Sequence, residues 1–148
     1  MKRFMFIIAA VLSMVSCVNE DGWQVKLPAS VTRQWVEKLP DNSLYKLMGW
    51  DIRVWDFSSY KGRFYTCYYK SMEDAELIPM ANLYQHEIYS YDCRYKDGIY
   101  TVTVVDEDNT RFFLSDITDK SMILTYDDGP VVYLTPLGFK ITPVPLDF

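Results

Sequence analysis

Residues 88–105 read I-Y-S-Y-D-C-R-Y-K-D-G-I-Y-T-V-T-V-V. Two alternating runs flank Asp97-Gly98, the dipeptide that suits a two-residue type I′ turn because both central residues need positive φ. Folding the arms about that turn sets Lys96 opposite Ile99, Tyr95 opposite Tyr100, Cys93 opposite Val102 and Tyr91 opposite Val104. One face then carries Tyr89, Tyr91, Cys93, Tyr95, Tyr100, Val102 and Val104. The other carries Ser90, Asp92, Arg94, Thr101 and Thr103. A slip of one residue would bury the polar set, so the pattern specifies its own register. This stretch predicts an antiparallel hairpin with one buried face.

The composition agrees with a β fold. The chain has 148 residues, 49% hydrophobic and 16% aromatic, with twelve Tyr and eight Phe against six Gly. That length and apolar content suit a single domain with a sizeable core, and the residue choice favours strands. A formal net charge of −5 argues against nucleic acid and anionic membrane surfaces as partners.

Residues 1–16 read as a targeting segment. Lys2 and Arg3 form a basic start, and residues 4–15 are an apolar run too short to span a bilayer. Ser16 followed by Cys17 resembles the lipobox of bacterial lipoproteins, in which the Cys becomes the lipid-bearing (palmitate-carrying) first residue. An ordinary secretory signal with an incidental Cys is the other reading. Removal of residues 1–16 takes two positive charges from a net of −5 and leaves −7. Residues 17–28 form a lipidated tether. Its Asn19-Glu20-Asp21 resembles the surface-export signal of Bacteroidota lipoproteins, or is a solvated linker. The implied location is the cell envelope, as an outer-membrane lipoprotein exposed at the surface.

The domain proper is residues 29–148. Ser30 is placed to cap a short helix over 31–39, with Val31, Trp35 and Leu39 on one face, and Pro40 ends it. Residues 44–48 suggest a further helical turn. Strand patterns follow at 50–57, 63–70, the two arms of the hairpin, 110–117, 121–126, 131–135 and 139–144. In the first of these, Trp50, Ile52 and Val54 share a face, while Trp55 and Phe57 fall on the face of Asp51 and Arg53. That conflict predicts a bulge or a strand end near Val54. In the second, alternation leaves open whether Phe64, Thr66 and Tyr68 or Tyr65, Cys67 and Tyr69 point inward. Ser71 and Asp74 have capping-box spacing, predicting a helical turn over 72–77 in the longest connection of the β region. The expected architecture is mainly all-β: an antiparallel meander of about eight strands closing into a barrel, with a short N-terminal helix that plugs one end.

The segment from Tyr91 to Leu137 resembles the small lipocalin-like domains of Bacteroidota lipoproteins. The features carrying it are Y-K-D-G-I-Y-T-V, F-F-L-S-D-I-T-D-K-S-M-I-L and V-V-Y-L-T-P-L. The resemblance implies a lipocalin-like β-barrel and binding of a small apolar or amphipathic ligand that it does not identify.

Catalytic patterns are sparse. The sequence contains no G-x-S-x-G, no H-E-x-x-H and no glycine-rich phosphate loop, and the reading is of a protein that is not an enzyme and needs no cofactor. His86 is the sole histidine, and one His makes no zinc site. The acidic turns at 106–109 and 127–129 read as solvated turns rather than calcium loops. Cys67 and Cys93 either form a disulfide, as exported thiols often do, or are buried free thiols. Trp50, Tyr65, Tyr69, Tyr89, Tyr91, Tyr95 and Tyr100 either line a ligand cavity or fill the barrel. Two functions follow. One is an envelope-anchored binding module. The other is a structural lipoprotein with a solid core, acting on a protein partner through its surface.

Overall fold

In the computed structural model, residues 22–58, 62–79, 86–106 and 108–141 are described, His86 by its backbone alone. The signal segment, the Cys17 lipidation site and residues 19–21 lie outside them, as do Glu107 and residues 142–144. The strands are β1 (Trp23–Gln24), β2 (Gln34–Lys38), β3 (Ile52–Asp56), β4 (Arg63–Tyr69), β5 (His86–Lys96), β6 (Ile99–Val104), β7 (Arg111–Ser115), β8 (Met122–Tyr126) and β9 (Val131–Pro136). Two short helices, α1 (Leu44–Leu47) and α2 (Met72–Leu77), interrupt them. Strands β2 to β9 pair antiparallel in sequence order, and β9 returns to β2, so eight strands close a barrel. The ninth, β1, lies against the far end of β5. Gly22 allows this approach: its φ is +95°, and a Cβ there would fall 2.1 Å from the Tyr95 carbonyl oxygen.

The hairpin forms in the register its alternation demands, from Lys96↔Ile99 to Tyr91↔Val104. Asp97 and Gly98 have φ of 52° and 83°, as a type I′ turn requires. Along its other edge β5 takes β4 first, at Cys67↔His86 to Arg63↔Ser90, and then β1 at Arg94 and Tyr95. Helix α2 spans the residues expected of it, and the Ser71 side chain accepts a hydrogen bond from the Asp74 N–H.

Two expected elements differ. Residues 31–39 are not a helix that plugs the barrel; their centre is β2, the first strand of the wall. The apolar spacing of Val31 and Trp35 comes from a single turn at 28–32, where Val31 N–H and Thr32 N–H both donate to the Pro28 carbonyl. The Trp35 indole then donates back to the Val31 carbonyl at 2.9 Å. From Gln34 onward, adjacent residues are buried on opposite faces, which a helix with one core-facing stripe does not do. At the other end, residues 139–141 are not a strand. The barrel therefore has the expected eight strands, closed by residues 34–38.

The β2–β3–β4 wall is covered on both sides. Inside the barrel, Trp35, Trp55, Phe57, Phe64, Phe112, Leu114, Met122, Leu124 and Leu134 form one core. Its aromatic rings interlock: Phe64 and Phe112 meet edge-on at 5.7 Å, and Trp55 and Phe64 stack at 6.0 Å. Outside it, Val36, Ile52, Val54, Tyr65, Cys67 and Tyr69 form a second core with Ala75 of α2 and with Leu137 and Ile141 of the C-terminal segment. That settles both ambiguous strands. In β4, Phe64 points inward while Tyr65, Cys67 and Tyr69 point outward. In β3, Ile52 and Val54 face the outer core, and Arg53 and Trp55 face the interior. Neither a bulge nor a strand end falls at Val54; the β3 ladders to β2 and β4 run without interruption from Ile52 to Asp56. The polar-looking face of β3 is the inner face.

The C-terminal segment is held by one buried side chain. Gln34 donates to the Ile141 carbonyl at 2.7 Å, accepts from the Ile141 N–H at 2.7 Å and donates to Asp56 at 3.0 Å.

A candidate binding cleft at the β2–β9 seam

The barrel closes on a short seam. β2 and β9 pair only at Trp35↔Pro136 and Val36↔Thr135. Beyond those positions β2 continues through Glu37 and Lys38, while residues 131–134 of β9 pair with β8 alone. Pro136, with no N–H to give, sits at the end of the ladder. At the opposite end, beyond Val36↔Thr135, the strands part and leave a cleft of about 810 Å³, within the range of small-molecule sites. Val36, Leu39, Pro40, Met72, Val132 and Tyr133 supply apolar wall. Helix α1 sets Tyr45 over the cleft, stacked on Tyr68 at 4.2 Å and 14°. The Lys46–Asp51 ion pair closes the α1 loop.

Arg53 forms the polar floor. It sits opposite Glu37 on β2 and Tyr68 on β4, and all three are on the inner face. Its guanidinium lies 4.2 Å from the centre of the Trp55 ring and 5.2 Å from that of Tyr68. Its terminal nitrogens donate to the Tyr126 hydroxyl at 3.3 Å and to the Thr66 hydroxyl at 3.2 Å. Nε is buried and has no hydrogen-bond partner. Glu37 makes no ion pair with it. One Glu37 oxygen instead accepts the Trp55 indole N–H at 3.1 Å. Burial pushes the Glu37 carboxyl above the usual carboxylate range, against the opposing pull of Trp55 and Arg53. Burial likewise raises the Tyr126 and Tyr68 hydroxyls, with the Arg53 charge pulling the other way. Arg53 and Tyr126 also border a smaller open pocket of about 120 Å³, shared with Tyr89, Asp106, Thr110 and Phe112. The barrel core around Phe64 and Phe112 is filled by aromatic rings.

The aromatic residues singled out from the sequence are dispersed. Tyr89 borders the smaller pocket shared with Arg53 and Asp106. Tyr91 borders a separate depression beside β1. Tyr95 and Tyr100 pack on one another at 4.8 Å at the hairpin end. Tyr65 and Tyr69 belong to the outer core, where Tyr69 donates to the Ile78 carbonyl at 2.7 Å. Trp50 lies beside Tyr68 at 6.5 Å and under Lys70. The cleft is instead built from Glu37, Tyr45, Arg53, Tyr68 and Tyr126. One sequence signal pointed there: Arg53, Trp55 and Phe57 alternate on one face, and reading that face as internal places a cation inside the barrel.

The disulfide considered for Cys67 and Cys93 is not made. Both thiols are free, with Cys93 in the barrel interior and Cys67 in the outer core. Burial pushes each up to about 12, so neither is a ready nucleophile. Asp106 holds its own turn, accepting from the N–H groups of Asp108 and Thr110. The Thr110 N–H and hydroxyl hold its carboxyl below the usual range. Among the described residues, no group of three or more His, Cys, Asp or Glu is placed to bind a metal ion, and no helix is long and apolar enough to cross a membrane. No protein-family model, curated protein or solved structure matches the chain.

Proposed function

We propose that this chain is an envelope-anchored binding protein whose lipocalin-like barrel holds a small amphipathic molecule in the β2–β9 cleft. The observation that carries this reading is the cleft itself: a mostly apolar space of about 810 Å³ with the Arg53 guanidinium at its floor and Lys38 on its lining. Such a space suits a ligand with an apolar body and a polar end. The role proposed for it is binding. The anchor is a lipid on Cys17, which tethers the domain to the outer membrane. Native mass spectrometry of protein purified without detergent from its own host tests the binding role. A small non-covalent adduct is expected, and bare protein mass in repeated preparations would overturn it. Fractionation after Cys17→Ser tests the anchor. Release into the soluble fraction is expected, and retention on the membrane would refute it.

A second reading, an accessory protein acting on a protein partner at the envelope, draws on α1. Leu44, Leu47 and Met48 there are 68%, 75% and 62% exposed, more apolar surface than one turn of helix ordinarily shows to water. A partner that co-purifies with the wild type and is lost with Leu47→Glu would favour it.

A further inference from the structure

The chemistry of the ligand's polar end follows from Arg53, granting the binding role proposed for the cleft. We infer that Arg53 is the anchor for a carboxylate, and that the ligand is an amphipathic monocarboxylate with its acid group at the cleft floor and its apolar body directed out through the β2–β9 seam.

The argument begins with what Arg53 lacks. A guanidinium carries five N–H donors in a rigid plane and is always charged. Here it is half-buried with Nε out of water, yet its partners are two neutral hydroxyls and the faces of two rings. Among the described residues no carboxylate is in ion-pair contact with it, Glu37 acting only at longer range, and Nε has no hydrogen-bond partner. Taking a charge out of water is costly unless an opposite charge and full hydrogen bonding replace the lost hydration. A bound anion supplies both.

The surroundings select the kind of anion. Trp55 blocks one face of the guanidinium and Tyr68 lies close by, so approach is along the edge of the plane. Edge-on, the guanidinium fork matches the two oxygens of a carboxylate. The Tyr126 hydroxyl, held at 3.3 Å, is a long contact by hydrogen-bond standards and a partner easily exchanged or shared. Glu37, directly across from Arg53, disfavours a second negative charge at the floor, and Lys38, the other cation lining the cleft, sits at the exposed end of β2. The wall above the floor is apolar, with Leu39, Pro40, Met72 and Val132. It suits a hydrocarbon body rather than a sugar or a nucleotide.

Dodecanoate and 1-dodecanol, equal in chain length and different in head group, separate this inference from the reading it rests on. Titration calorimetry on the purified protein should show dodecanoate binding at least tenfold more tightly than dodecanol, the loss expected when a charge-assisted hydrogen-bonded pair is removed. Arg53→Met should abolish the preference while leaving dodecanol binding within a few-fold. Arg53→Lys, which keeps the charge and loses the fork, should keep a reduced preference. If Arg53→Met fails to fold, the wild-type preference and its reduction in Arg53→Lys decide the matter. Equal binding of acid and alcohol would overturn the carboxylate assignment and leave the cleft as a binding site. Binding of neither would overturn both.

Discussion

Replacing Gln34 with Ala tests how the outer layer is held. Its amide makes three buried hydrogen bonds, two to the backbone of Ile141 and one to Asp56. Its own carbonyl accepts from the Leu137 N–H at 3.1 Å. Alanine keeps that last bond and strips partners from the Ile141 N–H, the Ile141 carbonyl and one Asp56 oxygen. A buried group left unsatisfied costs about 1–3 kcal/mol. Asp56 retains the Ser58 N–H and hydroxyl on its other oxygen, and water partly solvates the freed Ile141 groups. The three losses therefore sum to about 3 kcal/mol rather than the full penalty. The damage has a natural limit, because the segment can lift off. Ile141 and Leu137, 3% and 8% exposed, would then give up about 1.5–3 kcal/mol of burial each. Urea unfolding of Gln34→Ala and wild type measures the difference, and hydrogen exchange at residues 137–141 locates it. The expected result is a loss of about 3 kcal/mol with protection vanishing first in that segment. A loss below about 0.5 kcal/mol, the range of surface substitutions, would refute the clamp. So would a larger loss that leaves protection at residues 137–141 intact.

Two other perturbations follow from local geometry. With both thiols raised from 9.0 to about 12, iodoacetamide at neutral pH should leave Cys67 and Cys93 unmodified in the folded protein and alkylate both on unfolding; native-state labelling of either would contradict their burial. The same shift has a sign. The stabilisation is whole below the unfolded thiol value near 9 and is lost as pH rises toward 12, because the unfolded chain ionises first; a urea midpoint that stays flat across that window would refute it. At the hairpin, Gly98 has φ +83° and no atom within 4 Å of an added Cβ. Gly98→Ala should therefore cost about 1 kcal/mol from backbone conformation alone, and unchanged denaturation would show that the turn does not require a positive φ there.

What the sequence could reveal depended on how many faces a strand buries. The β5–β6 hairpin has one buried face for most of its length, so alternation gave both register and orientation. β2, β3 and β4 have cores on both sides, and there alternation carries little information: Trp35 and Val36 are neighbours in sequence and belong to different layers. In β2 the result was a false helical signal, reinforced by the real turn at 28–32. In β3 it was a false bulge, because the inner face holds a cation between rings and looks polar. Arg53 was visible as a residue but not as a site. Its significance comes from Trp55 and Tyr68 beside it and from Glu37 being engaged elsewhere, and the last two contacts join different strands. Turn chemistry, by contrast, is local and was readable: Asp97-Gly98 and the Ser71 cap both form as their spacing implies.

The seam links these observations. Closing an eight-strand barrel requires the last strand to find the first, and here β9 meets β2 over only two register pairs. A longer ladder would have brought Glu37 and Lys38 against Leu134 and Tyr133 and sealed the wall, leaving Arg53 enclosed with no route for an anion. The short ladder avoids that cost by keeping the cation beside an opening. Its remaining end is secured at Gln34, whose carbonyl takes the Leu137 N–H and whose amide grips Ile141. Gln34 thus ties barrel closure to attachment of the outer strap, at the opposite end of β2 from the cleft. One end of β2 is held tightly and the other is free of β9. That asymmetry lets a single barrel keep a solid aromatic core around Phe64 and Phe112 and an open, charged cleft around Arg53.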